Sequence, residues 1–140
     1  LHAPELAACL ATLDLGHSKH GKVVLLRTLG AIVNDQSAAL QLLYELRNKL
    51  AHNISEVGFS FESYVTAINK QQLALFVQRA GHGIKAGPAG ESLEAFVPSN
   101  PKFSLWLTVA EILACLHLEH DAAEVRLFRM SLQKLGVEAE

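Results

Sequence analysis

Cysteine, tryptophan and methionine are nearly missing from this chain, whose 140 residues include two Cys, one Trp and one Met. Two thiols cannot build the disulfide framework on which small secreted domains rest, so the fold must stand on an apolar core. Cys9 and Cys115 each sit among Ala and Leu at helical spacing. A reduced, buried thiol is expected at such positions, and with it a cytoplasmic chain. Basic residues are not in excess: 12 Lys and Arg stand against 14 Asp and Glu, for a net charge of −2. That balance excludes coating nucleic acid by bulk charge. Aromatics are only 6% of the chain, too few for an extended base-stacking platform. The longest apolar stretches, such as Val23 to Leu26 and Ile112 to Leu116, fall far short of a bilayer span, and no basic-then-apolar leader opens the chain. The expectation is a chain without a membrane segment. Leu1 in place of Met points to a piece of a longer protein.

Half of the residues are hydrophobic and the mean hydropathy is +0.22, enough for one domain over residues 1–140 to bury a core. Runs of β-branched residues and strict alternation are short, so strand signals are poor. Helical periodicity takes their place. Leu6, Cys9, Leu10 and Leu13 follow Pro4 and precede Gly16; Val23, Leu26, Gly30 and Val33 form a second helix. Asp35 is the expected N-cap of a third helix over residues 36–52, and a fourth runs from Phe61 to Arg79 until Gly81 and Gly83 stop it. Residues 81–103 hold Pro98, Pro101 and several Gly. They read as irregular, with a helical turn or short strand over 92–96. Helix resumes at Ser104, breaks near His120 and Asp121, and ends at Gly136. The chain reads as an all-α, single-domain bundle of five or six helices.

The chemistry-bearing stretch is Glu45-Leu-Arg-Asn-Lys-Leu-Ala-His-Asn53. Arg47, Asn48 and His52 put a charged fork, an amide and an imidazole within one and a half turns, the groups needed to hold a phosphate and move a proton. Advancing about 100° per residue, Ala39, Leu42, Leu43, Leu46 and Leu50 share a core-facing stripe. Asn48 and His52 project together on a nearly opposite face beside Gln41, Tyr44 and Glu45, with Arg47 at the flank. The same residues have a plainer use. Cations suit a helix C-terminus, and Asn53 is a competent terminator.

The string Leu46 to Asn53 resembles the signature of the HEPN superfamily, helical domains marked by Arg, four to six residues, then His. Residues 22–61, with Leu29-Gly30-Ala31-Ile32 ahead of the motif and Phe59-Ser60-Phe61-Glu62 behind it, also look like the mannitol operon repressor family. The first resemblance implies a dimer whose two motifs face a shared cleft and cut RNA without metal or other cofactor. His52 is then the acid or base for attack by a ribose 2′-hydroxyl, Arg47 the phosphate ligand that stabilises its developing charge, and Asn48 the group that orients the imidazole or holds a phosphate oxygen. On this reading the surface around Asn48 and His52 contacts RNA or a protein partner; the second implies a non-catalytic transcriptional regulator or scaffold in which Arg47 and His52 only pin the helix end.

Other constellations carry less. His17 with His20, and His117 with His120, have a spacing that ligates metal from one helix face, and Glu119 and Asp121 flank the second pair. Solvated or capping histidines account for both. Gly81 to Gly90 lacks the Gly-Lys-Ser/Thr ending of a phosphate loop. Trp106, with Phe103 and Leu107, is expected in the core. Lys19, His20, Lys22 and Arg27 cluster in sequence, and Arg47 and Lys49 join them if the helices lie side by side.

Overall fold

The computed structural model describes residues 8, 10–17, 19–52, 58–85, 90–134 and 136. Among them are six helices and no strand: α1 (Lys22–Thr28), α2 (Asn34–His52), α3 (Phe61–Ala67), α4 (Lys70–Ala80), α5 (Leu93–Ser99) and α6 (Pro101–Lys134). Residues 10–12 are helical as well. The chain is all-α, as its periodicity predicts.

Local chemistry sets the boundaries, and several differ from expectation. α1 stops at Thr28 rather than continuing to Val33. Gly30 takes φ of +73° there, and Gly30 N–H donates to the Arg27 carbonyl while Ala31 N–H donates to that of Leu26. This paired closure needs a left-handed residue, which glycine supplies without a Cβ clash. α2 begins at Asn34, one residue before the expected cap. Gln36 supplies the closure by accepting the Val33 N–H at 3.0 Å, while Asp35 sits in the first turn, where its charge suits the helix dipole.

The single helix expected over 61–79 is two. Ser60 caps α3 by accepting the Ser63 N–H, and Ile68 is extended. Asn69 then opens α4 with a reciprocal capping box to Gln72. The stretch expected to be irregular contains α5, and Pro101 is the first residue of α6, where a missing N–H costs nothing. The break expected near His120 and Asp121 does not occur. α6 runs unbroken for 34 residues, so a helix long and apolar enough to cross a membrane, by length and composition, is present after all.

The core joins Leu42 and Leu46 of α2, Val65 of α3, Phe76, Val77 and Ala80 of α4, Phe96 and Val97 of α5, and Leu105 of α6. Ala39, Leu42 and Leu46 are buried as the helical wheel predicts, and Leu43 packs half-buried against them. Leu50 is exposed, beyond the reach of that core. α6 packs on α2, α3, α4 and α5, but its buried residues are Pro101, Ser104, Leu105, Thr108 and Ile112, and none follows. Beyond Ile112 the described residues of α6 are exposed or half-buried. Trp106, expected inside, is 62% exposed because it lies on the far side of α6 from Leu105 and Thr108.

Candidate functional site

The middle of α2 is held by the core through Leu42 and Leu46, which fixes the directions of the residues between and beyond them. Tyr44 points to the loop before α1, where its hydroxyl donates to Asp14 Oδ2 at 3.0 Å. Asp14 Oδ1 accepts the Gly16 N–H at 3.1 Å. One turn on, Arg47 is exposed, and its Nη1 donates to Asn48 Oδ1 at 3.2 Å. Lys49 lies over the Tyr64 ring, 5.1 Å from its centroid. The structure thus brings Arg47 and Asn48 together on an accessible face, Asn48 half-buried beside the guanidinium. His52 is the last residue of α2; its side chain lies outside the described residues, as does Asn53.

Asp14 completes this face, and no local pattern marks it because its side-chain partner, Tyr44, is thirty residues away. The Gly16 N–H, and then the Tyr44 hydroxyl, hold its carboxyl below the usual carboxylate range, with His17 and Arg47 adding favourable charge. A lowered folded value means that the stabilisation is fully present above the ordinary carboxylate range and is lost as pH falls through the folded value. The urea midpoint of wild type should therefore exceed that of Asp14→Asn by a constant margin between pH 7 and 5. The margin should close below about pH 4. A margin that persists to pH 2 would show that the charge of Asp14 is not what holds the loop.

The basic residues clustered in sequence divide three ways. Lys22 Nζ donates to the Ala11 carbonyl, Lys49 covers Tyr64, and Arg27 shares a shallow groove of about 250 Å³ with Asn34, Gln41 and Arg79. Arg79 is itself paired with Glu45 at 3.2 Å. His17 and His20 stack at 5.4 Å, and His17 Nδ1 accepts the N–H groups of Lys19 and His20, a turn-capping role. His120 groups with Asp121 and Glu124 rather than with His117, and all three are exposed.

A polar cluster inside the bundle was not legible in the sequence. Glu111 of α6 accepts from Gln36 Nε2 at 3.3 Å and from the Cys115 thiol at 3.2 Å through Oε1, while Oε2 faces His82 Nε2 at 3.5 Å. The cluster ties α2, the turn after α4 and α6 together. It pushes the Cys115 thiol up, through the Glu111 hydrogen bond first and burial second. Cys115 is half-buried in this polar setting instead of sitting among core apolar groups. A thiol held protonated is a poor nucleophile. Cys9 lies outside the described residues.

Comparison with known protein families, curated proteins and solved structures finds no match for this chain.

Proposed function

We propose that this chain is a HEPN-like helical module that works as a dimer and holds the phosphate backbone of RNA at the exposed face of α2. The observation that supports this most is the Arg47 guanidinium, exposed and oriented by Asn48 on its own helix. A planar fork held in place by a neighbouring amide loses little freedom on meeting a phosphate, and it matches that anion with two parallel donors. His52 ends the same helix one turn further on. An imidazole near neutral pH is suited to take the proton of a ribose 2′-hydroxyl and return one to the leaving oxygen, the step that would turn binding into metal-independent cleavage.

The nearby Asp14 supports a second reading, in which the same face serves a non-catalytic regulator or scaffold similar to the mannitol operon repressor. Its carboxylate acts electrostatically on Arg47, and it competes with a phosphate for that cation.

A labelled single-stranded RNA, incubated with excess chelator and wild-type, Arg47→Ala or His52→Ala protein, separates the two. RNA binding by wild type at low salt, weakened about tenfold or more in Arg47→Ala with a salt slope smaller by about one, supports the phosphate site. Cleavage by wild type but not by His52→Ala adds the enzyme. No binding by any of the three leaves the regulator reading in its place.

A further inference from the structure

From Trp106 onward α6 presents a face opposite its buried stripe of Leu105, Thr108 and Ile112. At about 100° per residue, Trp106, Ala110, Leu113, Ala114, His117, Asp121, Glu124, Val125, Phe128 and Leu132 fall within one third of the helix circumference. That third is centred opposite Leu105, Thr108 and Ile112, which are buried. Trp106 is 62% exposed, Leu113 53%, Val125 51% and Phe128 64%. A row of large apolar side chains left in water on one helix face marks a surface that another molecule covers.

We infer that this face pairs with the same face of a second copy, the two α6 helices running antiparallel. The argument is that the row is complementary to itself when reversed. In the register that sets His117 opposite the partner's Asp121, an imidazole N–H meets a carboxylate, and the same contact recurs on the other side of the twofold axis. The register then sets Ala110 opposite the partner's Phe128, a small side chain against a large ring, as interdigitated helix packing requires. Leu113 falls opposite the partner's Val125, and Trp106 opposite the partner's Leu132. Ala114 and Glu124 share this face and fall opposite each other, the one place where an apolar side chain of the row meets a charge. Beside Trp106 lies a groove of about 540 Å³ whose lining includes Pro101, Lys102 and Phe103, which gives the end of the partner helix a place to seat. The spacing of three and four residues keeps both faces aligned for roughly 40 Å at 1.5 Å per residue.

The area is adequate. Phe103, Trp106 and Phe128 from two copies are six rings; being already about half covered, each loses on the order of 100 Å² more, so the rings alone supply roughly a third of a standard interface. Lipid is a poorer occupant. His117 and Asp121 sit at the centre of the row, and an acidic group at that depth of a bilayer costs roughly 2.5–3.5 kcal/mol. Leu127 and Met130 point to other sides of α6 and take no part. This pairing does not rest on the RNA reading of α2.

The test is made by cysteine cross-linking in a background with Cys9→Ser and Cys115→Ser. Chains carrying His117→Cys and chains carrying Asp121→Cys are oxidised separately and then as a mixture. Disulfide-linked dimer in the mixture, with little in either sample alone, is the expected result. Dimer in each sample alone indicates a parallel pair and overturns the proposal. Sedimentation of the natural sequence between about 1 and 100 μM should show a monomer–dimer equilibrium. Phe128→Glu and, independently, Leu113→Glu should shift it at least tenfold toward monomer, with unchanged helical circular dichroism because both sites are exposed. A monomer at every concentration, a dimer indifferent to both substitutions, or a chain that stays with phosphatidylcholine vesicles on flotation instead of self-associating overturns it.

Discussion

Thr108→Val should melt roughly 10 °C below wild type in a calorimetric scan, although it preserves shape and adds no charge. Thr108 is buried on α6, where its hydroxyl donates to the Ala80 carbonyl at 2.7 Å and accepts the Gly83 N–H at 3.2 Å. Both partners belong to the turn that ends α4. Valine leaves a buried carbonyl and a half-buried N–H unpaired, which costs about 2–4 kcal/mol together. For a chain of this size each kcal/mol is worth roughly 3–5 °C. Thr108→Ser keeps both hydrogen bonds and gives up one methyl, so it should cost about 1 kcal/mol. Gly83→Ala probes the same contact from the other side. A Cβ there would lie 2.9 Å from the Thr108 Cα, too close for backbone to tolerate, and the turn must lift away from α6 at a cost of about 1–3 kcal/mol. Because both changes break one joint, the double variant should lose less than the sum. A valine chain melting within about 2 °C of wild type would show that the turn satisfies its polar groups by other means.

That joint shows where sequence reasoning runs short. Helical class was legible because apolar residues recur at three and four residues almost everywhere, and the inner stripe of α2 was legible for the same reason. The division between α3 and α4 was also written in the chain, as Asn69 three residues before Gln72. It was hidden because the apolar rhythm of Val65, Ile68, Leu73 and Phe76 passes over it at a spacing that still resembles one helix. The continuity of α6 was hidden for the opposite reason. His120 and Asp121 are weak helix formers, but each costs only a few tenths of a kcal/mol, and Ala122, Ala123 and Glu124 restore the helix at once. Trp106 was misplaced because both faces of α6 are apolar, so a wheel cannot say which one meets the body.

The candidate site divides in the same way. The adjacency of Arg47 and Asn48 follows from helix geometry. The contact of Tyr44 with Asp14, and the convergence of Gln36, His82 and Cys115 on Glu111, depend on residues far apart in the chain. No local pattern encodes such pairs.

A comparison of two aromatic truncations tests the arrangement of core and outer face together. Phe76 is 2% exposed, packs within the main cluster, and lies 5.9 Å from the Tyr64 ring that Lys49 covers. Phe76→Ala should cost about 3–5 kcal/mol, the lost transfer of the ring plus the cavity left behind. That is a large part of the 5–15 kcal/mol that typically holds a domain folded, so a partly unfolded chain at 37 °C is the expected result. Trp106→Ala removes a larger side chain, yet in the single chain it gives up only the stack on Phe103, 6.0 Å between centroids, and the half-covered side of its ring. Below about 1 μM it should cost no more than about 1 kcal/mol. If α6 pairs with a second copy, folding and association are linked, and the penalty for Trp106→Ala must grow as protein concentration rises while that for Phe76→Ala stays nearly level. Urea melts of both variants at 0.5 and 50 μM make the measurement. Equal penalties for the two at the lower concentration would mean that Trp106 is covered within one chain, and the outer face of α6 would then have to be redrawn.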